Sequence, residues 1–383
     1  MTNSLAITGR DPATGNGLRV TIADGLFVAV EATAEVGEAW LAPGLVDLQI
    51  NGYGGLDLNL GEITDELMLD LCRRMAGIGV TTFLPTLITA SEASIVSALR
   101  AIAAARAALP IVRHMVPGVH VEGPSISPVD GPRGAHPLEH VRAPSLAEFE
   151  RWQAASGNLV SMVTLSPEYA EAPAYIAALA GQGVHVAIGH TAASPDEVHA
   201  AADAGAVLST HLGNGAASTL PRHPNFIWAQ LADDRLTASF IADGHHLPAD
   251  TFKAMLRAKS LDRAVLVSDT VALAGMPAGI YEQVIGGTVE VSDEGRIGIA
   301  GTPYLAGAGL PLCANVAIAA DMADLSLADA LRLATSNPGR FAANRGRLEV
   351  GAPADLITFD WQPGARRLGI RDVWVAGERI VSA

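Results

Sequence analysis

VPGVHVEGP, residues 116–124, starts as a strand and stops on a charge. Val119 and Val121 alternate with His120 and Glu122, and a period of two puts His120 and Glu122 on one face. An acidic side chain on a buried strand costs several kcal/mol unless it is paired or bound to a cation. Gly123 and Pro124 end the strand at once. A carboxylate therefore stands at a strand's C-terminal end, where parallel α/β proteins carry their chemistry.

The same unit recurs on both sides. Upstream, TDELMLDLCRRMAGIGV spaces Leu67, Leu71, Met75 and Ile78 at helical intervals, with Thr64 as N-cap, and leads to the strand VTTFLPTLI. The helix SEASIVSALRAIAAARAAL precedes the strand that ends in Glu122. Downstream, LAEFERWQAAS leads to LVSMVTLS, APAYIAALAGQG to VHVAIGH, and SPDEVHAAADAG to AVLSTHL. LTASFIAD and AVLVSD follow. Gly79, Gly183 and Gly205 each close a helix just before a strand.

From Gly44 to Asp269 this makes eight strands alternating with helices. The pattern predicts an α/β fold, a closed (β/α)8 TIM-like barrel over residues 44–346. No GxGxxG follows the first strand, which counts against a dinucleotide-binding sheet. Residues 1–43 (SLAIT, LRVTIAD, LFVAVE) and 347–383 (DLITFD, DVWVAGERIV) read as short strands that pair into one small β-sandwich domain. YEQVIGGTVEVSDEGRIG reads as a β-hairpin insertion and LSLADALRLATSNPGRFA as one late helix.

A net charge of −15 over 383 residues argues against nucleic acid or anionic membranes as the main partner. Cys72 and Cys313 have no CxxC neighbour and read as buried thiols of a reducing compartment. The N-terminus lacks a signal pattern and no apolar run reaches membrane length, so a cytoplasmic protein is expected. Lys253 and Lys259, the only lysines, share one helical segment. Neither ends a strand, which removes a Schiff-base lysine and a lysine-bridged metal pair.

The strand ends form a set. Glu122, His190, His211, Asp243 (with His245 and His246 just beyond) and Asp269 each follow an apolar run. In a barrel these ends converge on one rim. Glu with two His is a ligand set for a catalytic divalent ion that keeps a position for water. His114, His140 and His199 stand in helix or loop contexts and read as surface. His120 and His185 share strands with candidate ligands and read as supporting residues.

The ordered segments LAPGLVDLQINGYGG, HVEGP, GAHP, GHT, STHLGN, IADGHH, LVSD and GAPADLITFD resemble the amidohydrolase superfamily and, within it, the N-acetylglucosamine-6-phosphate deacetylase family. The resemblance runs from Leu41 to about Arg379. It implies metal-dependent hydrolysis of the N-acetyl amide of an amino sugar phosphate, N-acetylglucosamine 6-phosphate giving glucosamine 6-phosphate and acetate. The superfamily's first strand often carries His-x-His, where this chain has Gln49 and Asn51. These are poor ligands for a second transition metal. One divalent ion per subunit, zinc or else iron, cobalt or manganese, is therefore implied, on Glu122, His190 and His211.

The resemblance further implies Asp269 as the catalytic acid/base, matching the Asp of the family's LVTD. It implies His136, in GAHP, as the residue that meets the substrate carbonyl. Asn214 and Gly215 match backbone contacts to the substrate, Arg222 and His246 match phosphate and sugar contacts, and Ala306 and Gly307 match a late substrate loop. One phosphate contact can come from a neighbouring subunit in this family, so a homodimer is implied. The chain departs from the family where THL-aromatic-NAM becomes THLGNGAA, and Gly213 and Ala217 are expected to leave more room near the sugar. Competing readings are hydrolysis of another N-acyl sugar or a cyclic amide, and a non-catalytic assembly protein. The latter class typically loses the ligands and acid/base group that are present here.

Overall fold

Three antiparallel strands, β1 (Leu5–Arg10), β2 (Gly17–Ala23) and β3 (Leu26–Thr33), and a short β4 (Trp40–Pro43) lead into the barrel. The computed structural model describes residues 4–283 and 287–382. Eight strands follow: β5 (Leu45–Ile50), β6 (Val80–Ile88), β7 (Val119–Glu122), β8 (Val160–Leu165), β9 (His185–Ile188), β10 (Ala206–Ser209), β11 (Thr237–Phe240) and β12 (Ala264–Leu266). They pair in parallel and in chain order. The sheet closes on itself. Asp269 N donates to Gln49 O at 3.1 Å and Asn51 N donates to Thr270 O at 2.9 Å, joining the first strand to the segment after the eighth.

Period-two alternation sorts the strand side chains. Val46, Leu84, Met162, Ala187, Leu208 and Val265 fill the barrel interior. Val119 and Val121 join the layer between strands and helices. His120 and Glu122 thus point inward, buried. His120 Nδ1 donates to Leu48 O at 3.2 Å, so Nε2 accepts from Thr164 Oγ1 at 2.8 Å. His185, at the opposite end of β9 from His190, stands edge-on to Phe341 instead of supporting the rim.

The helices form where their caps and apolar stripes place them. Thr64 Oγ1 accepts from Leu67 N at 3.1 Å, and Met68, Leu71, Cys72 and Met75 are buried along Asp65–Gly77. Gly79, Gly183 and Gly205 all take positive φ, which glycine adopts without a Cβ clash. Both cysteines are buried and free. No helix among the described residues is long and apolar enough to cross a membrane.

Three expectations change. The helix Glu92–Ala108 stops at Leu109, and Pro110 starts a second one, Pro110–Met115. That turn carries His114 away from the surface and onto Asp355, Nε2 to Oδ1 at 2.7 Å, beside Arg345 Nη1 at 2.7 Å from Oδ2. The insertion is three-stranded: β13 (Gly279–Gln283), β14 (Gly287–Val291) and β15 (Ile297–Ile299). Residues 284–286 of the expected hairpin lie outside the described residues. The late helix splits into Leu327–Arg332 and Ser336–Gly339, because Thr335 leaves helical geometry (φ −130°, ψ −94°). An unexpected helix, Leu312–Ala323, precedes it.

The chain ends with β16 (Leu356–Asp360), β17 (Gly369–Val375) and β18 (Glu378–Val381). They extend one seven-stranded sheet in the order β18-β17-β16-β4-β1-β2-β3. Its far ends meet, since Ala354 N donates to Gly25 O at 2.8 Å and Gly377 N to Ala354 O at 2.9 Å. Ile22, Phe27, Leu41, Leu356 and Trp374 share the core between the two halves.

Asp355 ties this domain to the barrel, accepting from Arg345, His114 and Ala376 N. It is 3 % exposed. Asp355→Ala leaves Arg345 without its buried partner and is expected to lower the unfolding free energy by about 3–5 kcal/mol. Denaturant titration checks this, and a loss below about 1 kcal/mol would show that the contact behaves as an exposed pair.

Candidate active site

Glu122, the last residue of β7, is 3 % exposed and gathers the site around it. Its Oε1 lies 3.2 Å from His211 Nε2 and 3.5 Å from His190 Nε2. Its Oε2 lies 3.8 Å from His136 Nε2. The rings of His190 and His136 are 4.4 Å apart and those of His190 and His211 are 4.9 Å apart, all edge-on.

Strand ends place these groups under strain. His190, His211 and Asp269 adopt φ of 47°, 28° and 52°. Left-handed backbone at a non-glycine residue costs of order 1–3 kcal/mol and persists only where surrounding structure holds it. The holding contacts are visible. Ser127 N donates to His190 O at 2.9 Å, His211 N to Ser239 Oγ at 2.7 Å, and Asp269 N to Gln49 O.

The donor set fits a cation. Pro132 O can only accept, so His190 Nδ1 donates to it at 2.9 Å, and Nε2 is the ring atom turned toward Glu122 and open to a cation. His211 Nδ1 is buried without a hydrogen-bond partner, which leaves that ring anchored through Nε2. Among the described residues, the ligand atoms of Glu122, His136 and His190 lie within 4.8 Å of one another. His211 makes the shorter approach to Glu122, through the same oxygen that faces His190. Burial works against the Glu122 charge, yet its hydrogen bonds to His190 and His211 hold the carboxyl well below the usual range. For His211, burial lowers the pKa, but the Glu122 bond and charge outweigh it and the net shift is upward.

Gln49 and Asn51, where the resembled superfamily often has histidines, are hydrogen-bond donors. Gln49 Nε2 donates to Glu122 Oε1 at 3.0 Å and Asn51 Nδ2 to Asp269 Oδ1 at 2.7 Å. A register shift in β5 between Asp47 and Ile50 lets Leu48 and Gln49 both face the interior. Burial raises the Asp269 carboxyl to about 6, with His211 pulling it down and Glu122 pushing it up. His136 is pushed down to about 3, chiefly by burial, and stays neutral. Its Nδ1 is 2.8 Å from Thr89 Oγ1.

These groups open into one cavity of about 330 Å³. Its lining includes Glu122, His136, His190, His211, Asn214, Gly215, His246, Asp269, Ala306 and Gly307. Asp243 supports the rim from behind: its Oδ1 accepts from His245 N and His246 N, and its Oδ2 accepts from His246 Nδ1 at 2.7 Å. His245 turns away to Glu294.

Arg222 stays outside. It is exposed on the turn that Asn225 ties down before capping the helix Phe226–Ala232, and no Lys or Arg is among the described lining residues. The room expected beside Gly213 is filled, because a Cβ there would meet Leu247 at 3.1 Å and Met255 at 3.3 Å. Sequence reading also missed Thr89 and the wall supplied by the insertion, Gln283, Val289 and Leu305. Thr89 follows an apolar strand end just as the recognised residues do, whereas nothing in the insertion's alternation shows which loop it covers.

A closed barrel whose strand ends collect a carboxylate, imidazoles and an aspartate around one cavity is the architecture of a metal-dependent hydrolase. The model of the amidohydrolase family matches residues 40–380, and the chain belongs to that family. It is 31 % identical to the N-acetylgalactosamine-6-phosphate deacetylase of Escherichia coli O157:H7, over 94 % of each chain. It is also 31 % identical to the N-acetylglucosamine-6-phosphate deacetylase of Bacillus subtilis (strain 168), over 83 % of this chain and 80 % of that one. The crystal structure of N-acetyl-D-glucosamine-6-phosphate deacetylase from Mycobacterium smegmatis matches with a TM-score of 0.88 at 30 % identity, covering 98 % of this chain and 100 % of that chain.

The two overlapping ligand groups give different outcomes on substitution. With Glu122, His190 and His211 as ligands, His190→Ala and His211→Ala are expected to lose the bound ion, while His136→Ala keeps it. Elemental analysis of the purified variants reads this directly, with circular dichroism as the control for folding. Loss of the ion from His136→Ala but not from His211→Ala would assign the site to the other group.

Proposed function

We propose that the protein hydrolyses the N-acetyl amide of an amino sugar 6-phosphate, with N-acetylglucosamine 6-phosphate as the leading substrate. The observation that carries this reading is the buried Glu122–His190–His211 cluster with Asp269 across the same cavity. Deacetylase activity on 6-phosphorylated N-acetyl sugars is the named activity of relatives similar over most of the chain.

In this reading Glu122, His190 and His211 hold one divalent ion per subunit, zinc first among the candidates. When bound, such an ion lowers the pKa of water and polarises a carbonyl. Asp269 takes the proton of the water that attacks the amide carbon. It delivers that proton to the nitrogen as the C–N bond breaks, releasing amine and acetate. Asn51 occupies Asp269 Oδ1, which leaves Oδ2 for the proton. A carboxyl raised to about 6 by burial is a stronger base than a solvated one yet remains ionised at neutral pH. Thr89 Oγ1 can give its proton to His136 Nδ1, which leaves the ring's own proton on Nε2 for the developing oxyanion.

The sugar would rest on the backbone of Asn214, Gly215, Ala306 and Gly307, with His246 held by Asp243 toward its hydroxyls. A phosphate would sit at the cavity mouth, with Arg222 as the cation that the 213–224 loop can offer and a second subunit of a homodimer able to add another. An exposed guanidinium suits a group that stays partly in water. The cytoplasm is the setting we assign, with residues 1–43 and 347–383 forming the small domain and 44–346 the barrel.

Asp269→Asn keeps the shape and the hydrogen bond from Asn51 but cannot take the proton. It is expected to lower kcat by about two to four orders of magnitude with KM nearly unchanged, the usual worth of a general acid–base group. Acetate release from N-acetylglucosamine 6-phosphate is the measurement. A variant that keeps more than about a tenth of kcat, or roughly 1.4 kcal/mol of barrier, would place the base elsewhere.

A further inference from the structure

We propose that Glu168, on the turn after β8, is a positioning residue that sets where His136 and His190 stand. β8 is the barrel strand between the one that ends in Glu122 and the one that precedes His190, and its end contributes no side chain to the described cavity lining. Its turn contributes a half-buried carboxylate instead, and three donors converge on it. Ser127 Oγ donates at 2.9 Å, Ser166 Oγ at 2.7 Å and Ala192 N at 2.9 Å.

These donors come from three loops. Ser127 is on the loop after β7, which carries Pro132 and His136. Ser166 closes β8 itself, and its hydroxyl lies 2.8 Å from Thr191 Oγ1. Ala192 follows His190 by two residues. The same loops are joined again close by, where Ser127 N donates to His190 O at 2.9 Å and Tyr169 hydroxyl donates to Ile126 O at 2.7 Å. Glu168 therefore closes a bracket between the loop that supplies Pro132 O and the residue whose Nδ1 that oxygen receives.

That bracket is needed for a physical reason. His190 holds a left-handed backbone, which relaxes unless its flanks are fixed on both sides. Ser127 fixes the carbonyl side of His190 and Ala192 fixes the chain just beyond it. Losing Glu168 removes the ties to Ser127, Ser166 and Ala192 at once, leaving the Ser127 N–His190 O and Tyr169–Ile126 bonds to hold the loops alone. The Nδ1 bond to Pro132, which orients Nε2, then loosens. Glu168 touches no group of the cavity, so it acts through these neighbours. The metal-binding consequence rests on the reading of His190 as a ligand.

Two readouts on Glu168→Ala and Glu168→Gln decide it. The first is affinity for Zn²⁺ in chelator competition. The second is solvent exchange of the His190 Nδ1–H proton, followed by NMR in the metal-free protein. Glu168→Ala is expected to weaken Zn²⁺ binding about 10–100-fold, the usual loss for a partner behind a ligand, and to speed the exchange about tenfold or more. Glu168→Gln keeps an acceptor for Ser166 and Ala192, and is expected to stay within about threefold of wild type in both. Wild-type affinity and exchange in Glu168→Ala overturn the proposal, whatever its thermal stability. If the wild type itself holds no Zn²⁺, the functional reading fails, and the exchange of the His190 proton still decides this one. If Glu168→Ala does not fold, Ser127→Ala takes its place: faster His190 exchange supports the proposal and unchanged exchange overturns it.

Discussion

A carboxylate buried at the end of a barrel strand is the constraint on which the site depends. Glu122 is almost fully withdrawn from water, and desolvation alone would protonate it. It stays ionised because Gln49, His190 and His211 face it at hydrogen-bond or near hydrogen-bond distance. A lone buried charge of this kind is costly, and the two imidazoles that turn Nε2 toward it complete the donor set of a cation site. The cluster is therefore chemistry held in place by the fold, and it contributes little to holding the fold together.

What holds it is the closure of the barrel. The first strand supplies Gln49 to Glu122 and Asn51 to Asp269, and the same two residues bond through their backbones to the segment after the eighth strand. Asp47 reinforces the seam by accepting from Ser268 N at 3.2 Å, and its burial pushes the carboxyl up to about 7. The left-handed backbone at His190, His211 and Asp269 is sustained by this frame. Each of these residues turns out of its strand toward the cavity at the cost of local strain, and each is met by a hydrogen bond from a neighbouring strand or loop.

Much of this was legible in the chain because strand alternation is a short-range property. His120 and Glu122 face inward as the period of two requires, and Thr64 caps its helix as its position suggests. Glycine marked these helix ends because the chain takes positive φ at Gly79, Gly183 and Gly205. What stayed hidden depends on contacts between distant segments. His114 looked exposed until the helix restarted at Pro110 and met Asp355, 241 residues away. Gly213 looked like open space, yet Leu247 and Met255 fill it from another loop and helix. Arg222 keeps its place after His211 in sequence, yet it is exposed and is not among the cavity's described lining residues. The insertion shows its strands but not the cavity wall it builds.

Amine release by the metal-loaded enzyme, measured for N-acetylglucosamine and N-acetylgalactosamine each with and without a 6-phosphate, tests the account most directly. The account predicts release from the phosphorylated sugars, with kcat/KM about 10–100-fold above the plain ones, as a charge-assisted contact of roughly 1.5–3 kcal/mol requires. No amine release from any of the four, by protein shown to hold its ion, would contradict it.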